Sequence, residues 1–354
     1  NNAELGQWYF KGGTCLKKCF FDTYRFSEDL DFTVPHGVAY DAGSIRAGLL
    51  AVAEWVRDRA GIEFPEDGFE IAESVNKRGQ VTYEARLTFV GPLQMARARR
   101  QRIRFDLTRD ELIVDAPEMR EVFHGYSDSP EPLLRIRCYT LEEILAEKLR
   151  ALFERSGRAR DVYDVVNVGR NLRAELSPGG IRALAAQKFA FKMLEPPQPE
   201  YILARVDPEV LASDWAQALR HQLPVLPPLA GFLVGLREVL EWLLGVAAPQ
   251  PALAAVPGGK DETSVPPVRF AAPMDRLRYA ARNRLFARVT HHGVPSLVEP
   301  YSLKMTKTGN LKLYVFEVER GSAPGQGIKA FEVADLGDVQ VIDRSFEPRY
   351  LVEL

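Results

Sequence analysis

The sequence predicts an α+β protein: a mixed sheet flanked by helices, then a helical segment, then a small β-rich domain. Three observations carry this expectation. Residues 1–190 alternate strand-period and helix-period segments, the stretch 246–269 loses both periods in a run of Pro, Ala and Gly, and the residues after it return to a two-residue apolar alternation. The expected division is therefore residues 1–190, a helical part at 191–245, a linker at 246–269 and a β-rich domain at 270–354. A length of 354 residues suits about two domains of about 150 residues each. Hydrophobic residues at 46% and charged residues at 27% exclude a disordered or collagen-like chain.

Individual elements follow from local pattern. Trp8-Tyr9-Phe10 reads as a strand that breaks at Gly12-Gly13 and turns into a helix at Thr14. Leu30, Phe32 and Val34 alternate with polar residues, as a strand with one apolar face does. Ser44 is expected to cap a helix running to Ala60. Strands are expected over 81–90 and 101–108, and helices over 141–155 and 161–172. A mainly helical segment over 213–244 is interrupted by Pro224, Pro227 and Pro228. Beyond the linker, Leu285, Ala287 and Val289, then Leu311, Leu313 and Val315, then Val339 and Val341 mark further strands.

Charge and cysteine usage narrow the setting. A net charge of -2 advertises no global basic field, so any nucleic-acid site must be a local patch. Three cysteines are too few for a disulfide framework and imply a reducing, cytoplasmic location. No membrane span is expected, because Arg237, Glu238 and Glu241 interrupt the apolar run 231–248. No signal peptide is visible, and the start at Asn1 without a methionine suggests a longer gene product.

The N-terminal stretch carries the chemistry. Gly12 and Gly13 permit a turn that lets phosphate oxygens approach the main chain, and Thr14 adds a hydroxyl where backbone amides favour anions. Asp29 and Asp31 stand two residues apart on one strand and share a face. Two like-charged carboxylates there suit a hard divalent cation. Each half alone is more simply an ordinary turn or a solvent-facing strand; their combination points to a nucleoside triphosphate and metal site.

These residues resemble the nucleotidyltransferases of the DNA-polymerase-β type, and the AbiEii/AbiGii toxin family in particular. Phe10-Lys11-Gly12-Gly13-Thr14 is similar to that family's first motif and Arg25-Phe26-Ser27-Glu28-Asp29-Leu30-Asp31-Phe32 to its second, with threonine where the wider superfamily commonly has serine. The resemblance implies a third carboxylate on a later strand. Alternation over 102–107 puts Asp106 on a face with Arg102 and Arg104; the resemblance implies that it completes the metal set and takes a proton from the attacking hydroxyl, and an aspartate simply paired with those arginines is the bland alternative. Lys148 falls on the inward stripe defined by Leu141, Ile144 and Leu145, so it needs a partner or an escape to solvent. The family's E-K-L-x-A-L motif assigns it to the triphosphate. Arg158-Ala159-Arg160-Asp161-Val162-Tyr163-Asp164 matches a further family pattern, and Asp161 and Asp164 lie one turn apart.

The implied catalytic set is Asp29, Asp31, Asp106 and Lys148, with Asp29, Asp31 and Asp106 as metal ligands for Mg²⁺ or Mn²⁺. The implied nucleotide-binding set is Lys11, Gly12, Gly13, Thr14, Arg25, Ser27, Lys148, Arg160 and Asp161. The resemblance further implies an NTP substrate, a separately encoded antitoxin, and transfer of a nucleotide to the 3′ end of tRNA that blocks translation in toxin–antitoxin or abortive-infection phage defence. Arg97, Arg99, Arg100, Arg102 and Arg104, a run without an acid just before Asp106, are expected to guide that RNA. Protein nucleotidylation and a catalytically quiet nucleotide sensor are the competing readings. Residues 275–354 resemble a WYL-type domain through Arg278-Tyr279-Ala280, Val298 to Tyr301, Leu311 to Val318 and Phe331-Glu332-Val333, with Leu313-Tyr314-Val315-Phe316 at the name-giving stretch. Cys15 and Cys19, one helical turn apart with no second pair, are expected to be small core residues. His291-His292 has no third ligand nearby in sequence, and no metal is expected there.

Overall fold

The computed structural model describes residues 5–21, 24–91, 101–124, 132–245, 253–259, 262–264 and 274–354. Arg97, Arg99 and Arg100, and much of the stretch 246–269, lie outside the described residues. The chain divides into two compact units, residues 1–21 with 26–144 and residues 22–25 with 145–354.

The first unit is a mixed sheet with a helix on its apolar face. Its strands are β1 (Tyr9–Lys11), β2 (Asp29–Thr33), β3 (Phe69–Val75), β4 (Val81–Phe89), β5 (Gln101–Thr108), β6 (Glu118–Glu121) and β7 (Arg135–Cys138), ordered β3-β4-β5-β2-β1-β7-β6. The pairs β2–β5 and β1–β7 are parallel, whereas β1–β2, β3–β4, β4–β5 and β6–β7 are antiparallel. The turn after β1 is α1 (Gly12–Cys15), which continues as a π-helical turn over Leu16–Phe20. Helix α2 (Ala42–Ala60) contributes Ile45, Leu49 and Ala53 to a core shared with Trp8, Val34, Tyr83, Ala85, Leu87 and Leu107. Its N-cap is Asp41 rather than Ser44. The Asp41 carboxylate accepts from the Ser44 amide at 2.9 Å and so satisfies an orphan donor of the first turn.

The second unit packs helices together with an antiparallel sheet. Helix α3 (Leu141–Glu154), whose first residues belong to the first unit, is followed by α4 (Ala159–Asn171), α5 (Pro178–Phe191), α6 (Pro199–Leu203), α7 (Pro208–Leu219) and α8 (Leu229–Leu244). Helices α4 and α8 approach closely: a Cβ on Gly169 would meet Val239 Cγ1 at 2.5 Å. Nearby, Tyr163 stacks on Phe232 at 5.3 Å. Strand β8 (Glu262–Ser264), helix α9 (Met274–Arg282), and strands β9 (Leu285–His291), β10 (Val294–Thr306), β11 (Leu311–Arg320), β12 (Ala323–Glu332) and β13 (Leu336–Ser345) complete it. The sheet order is β12-β11-β10-β9-β13, with β8 added on β10.

The division between units falls inside α3 and not at the proline-rich stretch. Polar contacts explain why. The Tyr163 hydroxyl donates to Asn283 Oδ1 at 3.0 Å and Asn171 Nδ2 donates to the Arg282 carbonyl at 3.3 Å, so the helices and the β-rich residues form one unit.

Candidate active site

Strand register assembles the first set of charged residues. Lys11 lies opposite Asp31 across β1–β2, Asp31 opposite Asp106 across β2–β5, and Asp106 opposite Glu84 across β5–β4. Register partners point to the same side of a sheet, so these four side chains form a row across four neighbouring strands. Two residues along, Asp29, Arg104 and Arg86 form a second row on that face. The alternate residues Phe32, Phe105 and Ala85 face the core. A cavity of about 910 Å³ lined by Trp8, Phe32, Ile103 and Phe105 therefore lies on the opposite side of the sheet from the carboxylates.

The glycine turn is built around one of those carboxylates. Gly12 has φ +77°, and a Cβ there would stand 2.1 Å from Asp31 Oδ2. Both the left-handed backbone and the missing side chain are required. Thr14, also buried, donates its hydroxyl to the Asp29 carbonyl oxygen at 2.5 Å. The first motif thus holds the second directly. Lys11 is ion-paired with Glu111, whose Oε2 also accepts from Thr33 Oγ1 at 3.3 Å and the Tyr139 hydroxyl at 3.4 Å. Sequence reading missed Glu111, which lies outside any strand or helix.

Electrostatics in this row are dominated by carboxylates. Arg104 sits among three of them, with Nη2 2.9 Å from Glu84, Nε 3.4 Å from Asp106 and Nη1 3.9 Å from Asp29. Burial pushes the Asp106 carboxyl above its ordinary value, Arg104 opposes that shift, and Asp29 adds to it. The oxygens of Asp29, Asp31 and Asp106 do not all come within 4.8 Å of one another, and the Arg104 guanidinium stands by Asp29 and Asp106. Three carboxylates on one face, about a third exposed at Asp29 and Asp106, are a hard oxygen donor set that suits a divalent cation. Arg102 is exposed and lies 3.9 Å from Glu70. Ser27 is half-buried in the segment before β2.

A separate charged cluster lies within the second unit. Lys148 Nζ is 2.8 Å from both Asp161 Oδ1 and Asp164 Oδ2. Arg25 grips Asp164 with two parallel bonds, Nε to Oδ1 at 2.7 Å and Nη2 to Oδ2 at 2.8 Å, and its Nη1 donates to Gln222 at 2.9 Å. The Tyr24 hydroxyl donates to Asp164 Oδ1 at 2.6 Å. Burial alone would raise Asp164, but Arg25 and then Lys148 hold it well below the usual carboxylate range. Burial likewise works against the charged Lys148, and the Asp161 and Asp164 carboxylates overcome it and raise the ammonium above its ordinary value. Lys148 is thus partnered by protein carboxylates. Arg160 is exposed on α4.

A nucleotidyltransferase architecture accounts for the glycine turn against paired strand aspartates. The family model described as "Nucleotidyl transferase AbiEii toxin, Type IV TA system" matches residues 2–246. The chain belongs to that family. It is accordingly a nucleotidyltransferase toxin of a toxin–antitoxin system, and membership implies an NTP substrate, a divalent metal in the usual case, and an antitoxin partner. MenT4, a nucleotidyltransferase toxin from Mycobacterium tuberculosis H37Rv, is a solved structure similar to this AbiEii-family chain. It shows a TM-score of 0.44 and 23% identity, covering 67% of this chain and 75% of its own. None of the curated proteins compared matches the chain. Among the described residues no helix is long and apolar enough to cross a membrane.

Two clusters were not legible as clusters. His292 has φ +50°, its ring lies 4.1 Å from that of His291, and its Nε2 lies 3.7 Å from Asp335. A third candidate ligand thus joins the histidine pair. Cys138 joins Cys15 and Cys19 in the first unit.

Proposed function

We propose that this AbiEii-family chain transfers a nucleoside monophosphate from an NTP to the 3′-terminal hydroxyl of tRNA and so blocks translation. The single observation that carries the reading is the register pairing of Asp31 with Asp106 beside the Gly12 turn. Asp29, Asp31 and Asp106 are the residues to hold Mg²⁺, or Mn²⁺ in its place. A bound divalent cation supplies charge neutralisation to the triphosphate oxygens.

The chain's own groups do the rest. The backbone of Gly12 and Gly13 accepts close approach of phosphate oxygens. Asp106 takes the proton of the attacking hydroxyl as the new bond to the α-phosphorus forms and the α–β bridging bond breaks, releasing pyrophosphate. Arg104 counters negative charge beside Asp106. Lys148, Asp161 and Arg25 are proposed nucleotide contacts, and a direct triphosphate contact by Lys148 requires it to release one of its two aspartates. Arg160, exposed at the start of α4, and Ser27 are proposed nucleotide contacts.

Arg102, with Arg97, Arg99 and Arg100, is proposed to carry the RNA backbone. We place the protein in the cytoplasm, with a separately encoded antitoxin and a role in phage defence. Residues 270–354 are proposed as a WYL-like sensor module, a reading supported by the antiparallel sheet that holds the matching stretches on β10, β11 and β12. Expression of Asp29→Ala and Asp31→Ala variants tests the enzyme: both should lose toxicity while folding normally, and full toxicity in both would refute it.

A further inference from the structure

All three cysteines of the chain meet at one point. Cys15 ends α1, Cys19 lies in the π-helical turn that follows, and Cys138 ends β7. Each is free and buried, and their sulfurs all lie within 4.8 Å of one another. A chain with only three cysteines has no packing reason to bring every one of them together from two distant segments, since any small apolar residue fills such space.

We propose that Cys15, Cys19 and Cys138 form a binding site for one thiophilic d¹⁰ cation of the zinc class. The donor type fits, because thiolates select soft ions over Mg²⁺. The spacing fits as well. Tetrahedral coordination with Zn–S bonds of about 2.3 Å needs sulfurs about 3.8 Å apart, a contraction of about 1 Å at most. The charge balances: three thiolates around a divalent ion carry one net negative charge, and Arg120 stands beside them with its Nε 3.1 Å from the Cys19 carbonyl oxygen. Binding releases the thiol protons to solvent, and the fourth coordination position is left for a small exogenous donor.

The location gives the site a consequence. Cys15 directly follows Thr14, and Cys138 is the register partner of Phe10, the residue before Lys11. A bound ion ties the Thr14 end of the Lys11–Thr14 turn to β7, which already pairs with the residue before its other end. It is distinct in chemistry from the carboxylate row, and it stands whether or not that row transfers nucleotides.

The test is a titration of the reduced, metal-free full chain with Zn²⁺ and with Cd²⁺ as a spectroscopic probe, in wild type and in Cys19→Ser and Cys138→Ala. A His291→Ala, His292→Ala background removes the imidazole pair as a competing ligand. Wild type is expected to show one equivalent of Cd²⁺ with a thiolate charge-transfer band, and a melting temperature that rises with Zn²⁺. Each cysteine variant is expected to lose more than the about 10–100-fold in affinity that removal of an outer-shell partner costs. A mercurial thiol reagent added to Zn²⁺-loaded wild type should release the ion in step with modification of three thiols, which tests the site even if a variant fails to fold. Absence of the charge-transfer band, or Zn²⁺ retained after all three thiols are modified, would overturn the proposal.

Discussion

Asp31 and Asp106 are direct register partners on the parallel pair β2–β5, and the Asp31 carboxylate lies where a side chain on Gly12 would have to go. One contact thus couples the glycine turn to the carboxylate row. Neither motif can change without disturbing the other.

Replacing Asp106 by Asn keeps its shape but removes its capacity to accept a proton. Nucleotide transfer should fall by about 10²–10⁴-fold, the usual contribution of a general base. Single-turnover rates with labelled NTP check this, with circular dichroism confirming the fold. A rate unchanged from wild type would remove Asp106 from the reaction.

Gly12→Ala should damage stability and transfer together. The left-handed backbone costs about 1–3 kcal/mol for a residue with a Cβ, and the collision with Asp31 displaces a carboxylate. Urea unfolding measures the first effect and the transfer rate the second. Retention of both would show that the turn has room to shift.

The cluster around Asp164 should report itself in acid. Its folded carboxyl is held below the ordinary value by Arg25 and Lys148. That contribution to stability is therefore complete above the unfolded value of about 3.9 and is lost as pH falls below it. Lys148→Met should lower stability at neutral pH by about 3–5 kcal/mol, because it leaves buried carboxylates short of a partner. It should also flatten the loss of stability between about pH 4 and 2. Denaturant titrations across that range in both proteins check the two effects.

Changing Arg97, Arg99, Arg100 and Arg102 to Gln separates RNA from protein acceptors. Transfer to tRNA should fall, and the slope of tRNA affinity against salt should shrink by about 0.7–0.9 for each phosphate that is no longer neutralised. NTP binding should persist, since Arg104, the member of the run set among the carboxylates, is left in place. Unchanged tRNA labelling would move the acceptor interface elsewhere.

Much of this arrangement could be read from the chain because it rests on short-range periodicity. The two-residue alternation of β2 and β5 placed Asp29, Asp31 and Asp106 on polar faces, and β5 and α3 begin where their patterns begin. Long-range pairing was not legible. Strands β3, β6 and β7 are short or largely exposed and give weak patterns. Glu111 reaches Lys11 from a segment with no period at all. Lys148 was recognised as an inward lysine needing a partner, but the sequence alone could not decide between Asp161, Asp164 and a triphosphate. Cys138 joins Cys15 and Cys19 only because β7 pairs with β1. At α2 the cap signal was available, since Asp41 stands three residues before Ser44, the spacing that a capping carboxylate needs.

The most direct test of the central claim is a transfer assay on purified protein. Each of the four α-³²P-labelled NTPs is incubated with Mg²⁺, total bacterial RNA and lysate protein, in wild type and Asp31→Ala. The account predicts label in a tRNA-sized band from at least one nucleotide, abolished in the variant. Nucleotide binding without any transferred label, or equal labelling by the variant, would contradict it.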